Sequence, residues 1–219
     1  MIRISAFAWV QPFAQGYVRD LRVRWALEEV GLPYEVRRVD RAARASAEYR
    51  ALQPFAQVPS YEEDGLMLFE SGAIVLHIAE RSDVLLPAER AARARAVTWL
   101  FAALNTIEPP IQEHAANALF ERDDAVQAAR RPKLLDAIAR RLAPLAERLA
   151  GQDWLEDRFT CADLMMASVL RVADDTDLVS GNPPLAAYLD RCTTRPGFRK
   201  SLADQLADFA DQPPPALAS

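Results

Sequence analysis

The stretch Gln57–Ser71 reads QVPSYEEDGLMLFES, and its parts belong to one piece of structure. Val58–Tyr61 and Leu66–Phe69 are short apolar runs flanking a turn at Glu62–Gly65. Asp64-Gly65 is a dipeptide that two-residue hairpin turns favour. Pro59 sits at the mouth of the first run, and Glu70-Ser71 opens an apolar helical segment, Ser71–Arg81. A proline before a strand can take the cis form. In that form it turns the Val58 N–H and C=O outward, where an extended peptide ligand can pair with them like an added strand. Ser71 at a helix N-terminus has free N–H groups and the positive end of the dipole beside it, which favour an anion. Its hydroxyl can bond a carboxylate, and Glu70 can receive an ammonium. The stretch offers a clamp for a small peptide-like molecule bearing both charges.

Upstream, Ile2–Ala8 is a short apolar strand candidate. Val18–Val30 has apolar residues at helical spacing and stops at Gly31-Leu32-Pro33, where glycine suits the left-handed position after the helix. Tyr34–Val39 alternates as a second strand. The Ala- and Arg-rich segment 40–53 reads as helix or irregular turns. The order is βαβ, a helical segment, then ββα. After a linker at 82–89 the strand signals stop. Helical patterns cover Glu89–Leu104, Pro132–Leu149, Thr160–Val172, Pro184–Thr193 and Pro196–Leu206, with a break or kink expected at Glu108-Pro109-Pro110. Thr160 followed by Asp163 is a capping box with Asp in the place of Glu, and the apolar run behind it predicts a buried helix. The expected organisation is an α/β domain over 1–81, a linker over 82–89, an all-helical domain over 90–211 and an extended tail over 212–219.

Composition narrows the function classes. The chain has 219 residues, is 51% hydrophobic and carries a formal charge of −5 without a long basic run, so nothing argues for nucleic acid or an anionic membrane. No stretch reads as a signal peptide or a membrane span, which gives a cytoplasmic expectation. Cys161 and Cys192 lack CxxC spacing and read as free thiols on helices. The two histidines, His77 and His114, lie far apart with no ligand spacing, so no metal site is expected.

Gln57-Val58-Pro59, the Asp-Gly hairpin and Glu70-Ser71-Gly72-Ala73-Ile74 resemble the glutathione-binding signature of the cytosolic glutathione S-transferases. Val23–Glu35 resembles the first helix and second strand of that family, and Thr160–Asp163 resembles the capping box of its helical domain. The resemblance implies a thioredoxin-like α/β N-terminal domain, an all-α helical-bundle C-terminal domain and a homodimer. It also implies roles: Val58 pairs with the cysteinyl part of glutathione, Glu70 and Ser71 hold the γ-glutamyl end, and Gln57 lies near the glycyl end.

The family places a Ser, Cys or Tyr between the first strand and first helix to stabilise the thiolate. A free thiol is only about 3% ionised at pH 7, and lowering its pKa by two units takes roughly 2.7 kcal/mol. Here the loop reads AWVQPFAQGY, residues 8–17. Counting back from Val23-Arg24 selects Tyr17; counting forward from the first strand selects Gln11-Pro12. Both stay open as sulfur donors, with the phenol the stronger chemically. Arg19 and Arg22 read as exposed salt-bridge partners that could add positive potential. Cysteine is absent from both positions, which disfavours mixed-disulfide chemistry. Trp9, Phe13, Trp99, Ala103 and Thr106 are candidate walls for a small apolar electrophile. The expected activity is glutathione transfer to that electrophile. The competing readings are a non-catalytic glutathione-binding or scaffold protein and a glutathione-dependent peroxidase or lyase.

Overall fold

Residues 1–210 are described by the computed structural model of the chain. The tail expected at 212–219 lies outside the described residues. Contacts divide the chain into two units, Met1–Leu85 together with the segment from Arg195 onward, and Leu86–Thr194.

The first unit begins with β1 (Ile2–Phe7), a 3-10 turn at Pro12–Ala14, α1 (Asp20–Val30), β2 (Tyr34–Val39), α2 (Arg41–Ala45), α3 (Ala47–Leu52), β3 (Ser60–Glu63), β4 (Leu66–Phe69) and α4 (Ser71–Ala79). The strands form a mixed sheet in the order β2-β1-β3-β4, with β1 parallel to β2 and antiparallel to β3. Asp64 and Gly65 connect β3 to β4, both with positive φ (50° and 88°), as a primed hairpin turn requires. Gly31 ends α1 at φ 70°, and the Leu32 N–H returns to the Leu27 carbonyl at 3.0 Å. The 40–53 segment is two short helices capped by Asp40 and Ser46, whose side chains accept the Ala43 and Tyr49 N–H groups.

The second unit contains α5 (Arg90–Ala102), a π-helical stretch at Ala103–Ile107, α6 (Glu108–Phe120), α7 (Asp124–Leu149), α8 (Cys161–Leu170), α9 (Asp177–Ser180) and α10 (Pro183–Thr193). The π stretch lies just ahead of the break expected at Glu108-Pro109-Pro110, and those three residues open α6. Pro109 and Pro110 lack the N–H that would close the preceding turn, and they occupy the first turn of α6, where that loss is tolerated. In α8 every residue except Ser168 is buried. Its capping box is formed: Asp163 accepts the Thr160 and Leu155 N–H groups, each at 2.9 Å, and the Tyr188 hydroxyl at 3.1 Å. Burial pushes the Asp163 carboxyl up, against the pull of these donors.

The last helix, α11 (Pro196–Ala210), runs past the expected end at Leu206 and belongs with the first unit rather than the helical domain. It lies antiparallel to α1. Arg195 forks onto Glu29 at 2.8 and 2.6 Å, and Trp25 meets Phe198 edge-on at 4.8 Å. Further along, Gln205 donates to Asp20 Oδ1 at 2.8 Å and to the Val18 carbonyl at 3.2 Å. Arg24 bridges Asp20 (2.8 Å) and Asp208 (2.5 Å), and Arg38 also reaches Asp208 at 2.5 Å. Two guanidinium groups face two carboxylates, so the network is charge-balanced. Helix α1 is consequently buried from Asp20 to Leu27, charged residues included.

Candidate functional site

The candidate clamp consists of the Val58–Pro59 segment and the start of α4, which the pairing of Ser60 with Phe69 brings together. The Val58–Pro59 peptide is cis, and Val58 precedes β3 and takes no part in its ladder. Its side chain packs with Val39 and Tyr49 in a small buried cluster joined by Phe7, Val18, Ala43 and Leu52. The Gln57 side chain is exposed, while its carbonyl accepts the Tyr49 hydroxyl at 2.6 Å.

Glu70 caps α4 with φ 68° and ψ 113°, an unusual conformation for a residue with a Cβ, and its side chain is exposed. The first α4 backbone bond runs from Ile74 N–H to the Glu70 carbonyl at 3.0 Å, which leaves the N–H groups of Ser71, Gly72 and Ala73 outside the helix ladder. Ser71 is buried, 5% exposed, and its Oγ accepts Arg22 Nη1 at 3.4 Å.

Arg22 corrects the reading of an exposed salt-bridge residue. It is 4% exposed and sits under the α4 N-terminus. The guanidinium occupies one lone pair of the Ser71 oxygen, and the hydroxyl proton stays available to donate. It also adds a full positive charge to the helix dipole at the same point. Arg19 is exposed, as expected.

The loop between β1 and α1 holds both sulfur-donor candidates. Gln11 is exposed ahead of the 3-10 turn, and its side chain makes no cap bond. The Tyr17 N–H donates to the Ala14 carbonyl at 3.1 Å, following Gly16 at φ 83°, and its side chain is 36% exposed. Helix α1 starts at Asp20 instead of Val18, so Tyr17 lies in the turn ahead of it. Trp9 is partly exposed and lines a cavity of about 220 Å³ with Phe7, Val10, Asp40, Arg41 and Arg44. Arg44 also stacks over the Phe7 ring at 5.1 Å. The sequence reading attached no chemistry to these two arginines. Phe13 is exposed.

Among the candidates in the second unit, Trp99 is partly exposed and Thr106 exposed, whereas Ala103 is 0% exposed. A residue with no accessible surface offers nothing to a substrate, so the reading of Ala103 as a wall does not hold. A wider cavity of about 620 Å³ opens between α1, β2 and α11 and includes none of the clamp residues. Its Lys200 is already bound to Glu28 (3.0 Å) and Asp204 (2.6 Å), which leaves the clamp as the better candidate.

The profile of the glutathione S-transferase N-terminal domain matches residues 14–80, and that of the C-terminal domain matches residues 108–196. The chain belongs to the glutathione S-transferase family. It is 30% identical to glutathione S-transferase 3 of Zea mays over 84% of this chain and 88% of that protein. A disulfide-bond oxidoreductase of Escherichia coli is 34% identical over 42% of this chain and 47% of its own length. Among solved structures, a glutathione transferase family member from Pseudomonas fluorescens, with two glutathione bound, aligns at 25% identity and TM-score 0.78, covering 92% of each chain. Glutathione transferase F7 of Populus trichocarpa has the same fold at TM-score 0.80 and 22% identity, covering 94% of this chain and 99% of its own.

Proposed function

We propose that this member of the glutathione S-transferase family binds glutathione at the clamp and activates its thiol for attack on a small apolar electrophile. The observation that carries the reading is the junction of Ser71, Arg22 and the α4 N-terminus beside Glu70. A γ-glutamyl group is a carboxylate and an ammonium on one carbon. The free α4 N–H groups, the Ser71 hydroxyl and the Arg22 charge suit the carboxylate, and the Glu70 carboxylate suits the ammonium. Val58 presents backbone groups to the cysteinyl segment. Gln57, Arg41 and Arg44 supply polar and positive partners for the glycyl carboxylate.

In the reaction the cysteinyl thiol loses its proton to solvent water, and the sulfur pair forms the bond to the electrophilic carbon as that carbon's leaving group departs with its electron pair or its π-electrons shift and take up a proton from water. Tyr17 is the proposed donor to the thiolate, with Gln11 the weaker alternative. A donor placed where charge develops lowers the thiol pKa and the barrier together. Trp9 and Phe13 of the first unit are the proposed electrophile contacts.

The protein is proposed to act as a homodimer in the cytoplasm. Met67 and Phe69 on one face of edge strand β4, with Phe55 beside Phe69 (ring centroids 5.9 Å), form an exposed apolar patch suited to a second copy.

The test is an ultraviolet difference titration of bound glutathione against pH. A thiolate band appearing well below the free-thiol pKa is the expected result. Glutathione that binds but ionises only at its solution pKa favours the second reading, a non-catalytic binding protein, which the absence of Ser or Cys from the β1–α1 loop supports. No uptake of glutathione refutes both.

A further inference from the structure

A chain of buried hydroxyl groups runs behind the clamp, and its proton directions are determined. The Gln57 carbonyl can only accept, so the Tyr49 O–H donates to it, at 2.6 Å. Tyr49 has no second proton, and its 2.8 Å contact with Ser5 Oγ is therefore donated by Ser5. Ser5 in turn accepts the Ser60 hydroxyl at 3.0 Å and the Ser60 N–H at 2.7 Å. Ser5, Tyr49 and Ser60 are each 1% exposed or less. The chain thus ties both flanks of Val58-Pro59, Gln57 on one side and Ser60 on the other, to β1 and α3. Burial raises the Tyr49 phenol above its ordinary range, so it stays protonated as a donor.

The Gln57 carbonyl and the Val58 N–H belong to one planar peptide unit, and in a trans unit they point in opposite directions. We propose that Tyr49 is a positioning residue for the clamp: by holding the Gln57 carbonyl toward the interior, it aims the Val58 N–H outward at the cysteinyl carbonyl of glutathione. A carbonyl that accepts a strong bond also polarises its own N–H and makes it a better donor. The Tyr49 ring packs in the same cluster as the Val58 side chain, so ring and hydroxyl fix the segment from two directions. The inference rests on the proposed pairing of Val58 with glutathione.

The test compares Tyr49→Phe, which keeps the ring, with Ser5→Ala, which breaks the chain one step earlier and leaves the Tyr49–Gln57 bond. Tyr49→Phe is expected to raise the Kd and KM for glutathione about tenfold, the loss of one well-made hydrogen bond, with kcat at saturating glutathione nearly unchanged. Ser5→Ala is expected to lower thermal stability comparably and to move the Kd by less than about twofold. A ligand-free readout accompanies these: the Gln57 carbonyl carbon resonance shifts upfield in Tyr49→Phe and holds in Ser5→Ala. Equal losses of affinity in the two variants show a merely structural chain and overturn the proposal. So does an unmoved Gln57 resonance, or unchanged affinity in Tyr49→Phe. Wild-type protein that takes up no glutathione overturns the clamp reading instead, whatever the resonance does.

Discussion

Glu70 sits at the point where fold stability and ligand binding pull against each other. Its φ of 68° with ψ of 113° lies well outside the left-handed helical well, which centres near ψ about 47°. Holding a residue with a Cβ in such a region costs about 1–3 kcal/mol. Glycine escapes most of that cost and loses about 0.5–1 kcal/mol of chain entropy in exchange. No cap is forfeited, because the Glu70 side chain makes no cap bond. Glu70→Gly is therefore expected to stabilise the first unit by about 1 kcal/mol. Glu70→Ala keeps the Cβ and the strain, and should stay within about 0.5 kcal/mol of wild type. Both variants remove the carboxylate proposed to face the glutathione ammonium. Glu70 is exposed, so that loss is modest, about 1 kcal/mol or roughly fivefold in Kd. Hydrogen exchange of first-unit amides across a urea series reads the stability without assuming that both units unfold together. Calorimetry with glutathione reads the binding. Glycine no more stable than alanine refutes the strain argument, and unchanged affinity in both variants removes Glu70 from the clamp.

Ser71→Ala should weaken glutathione binding about tenfold by calorimetry while the fold is retained, since Arg22 keeps the dipole end occupied. Tyr17→Phe should raise the pKa of bound glutathione and move the acid limb of the pH–rate profile upward; an unmoved profile excludes Tyr17 as the sulfur donor. Burial first, then the Asp163 charge, pushes the Cys161 thiol from 9.0 up to about 12. The folded state therefore favours the thiol: that contribution is fully present below about pH 9 and is lost as pH rises toward 12. Iodoacetamide with mass-spectrometric mapping should find Cys161 unreactive near neutral pH until the chain unfolds. Phe69→Glu, placing charge on the exposed β4 edge, should convert a dimer to a monomer in light scattering; an unchanged mass shows that this edge is not the interface.

What could be read from the sequence was what is encoded over a few residues. Asp64-Gly65 gives its turn because both positions need positive φ, Gly31 ends α1 for the same steric reason, and Thr160 with Asp163 closes its own box across one turn. The proposal of a clamp from Pro59 and the α4 start could be made because the two lie within fifteen residues of each other. What stayed hidden depends on partners remote in the chain. Arg22 reads as an exposed salt-bridge residue from the sequence, and its neighbours Asp20 and Arg24 carry no local sign of burial. Asp20 and Arg24 are paired with each other and with α11, which supplies Gln205 to Asp20 and Asp208 to Arg24, while Arg22 reaches Ser71 of α4. Burying three charges on one helix costs free energy unless each is paired, and removing one partner from such a pair typically costs 3–5 kcal/mol. The charges in α1 and the placement of α11 therefore imply each other, and neither pattern is informative without the other.

The same logic separates the clamp from its support. Ser71 and Glu70 could be proposed from the sequence because both stand at a helix start. Tyr49 and Arg22 act from behind, one on a carbonyl and the other on a hydroxyl oxygen, each through its partner's second hydrogen-bonding position. In both cases a buried donor takes an acceptor position, and the adjoining Val58 N–H and Ser71 O–H are the donors proposed to meet the ligand. Two unrelated side chains thus solve one problem, which is how to present a donor at a surface without allowing it to turn inward and satisfy itself. Arg22→Met with Tyr49→Phe should then weaken glutathione binding by close to the product of the single effects, since the two act on separate ends of the ligand. Strong non-additivity shows instead that both variants loosen one shared loop, and that aiming of individual donors is not what holds the ligand.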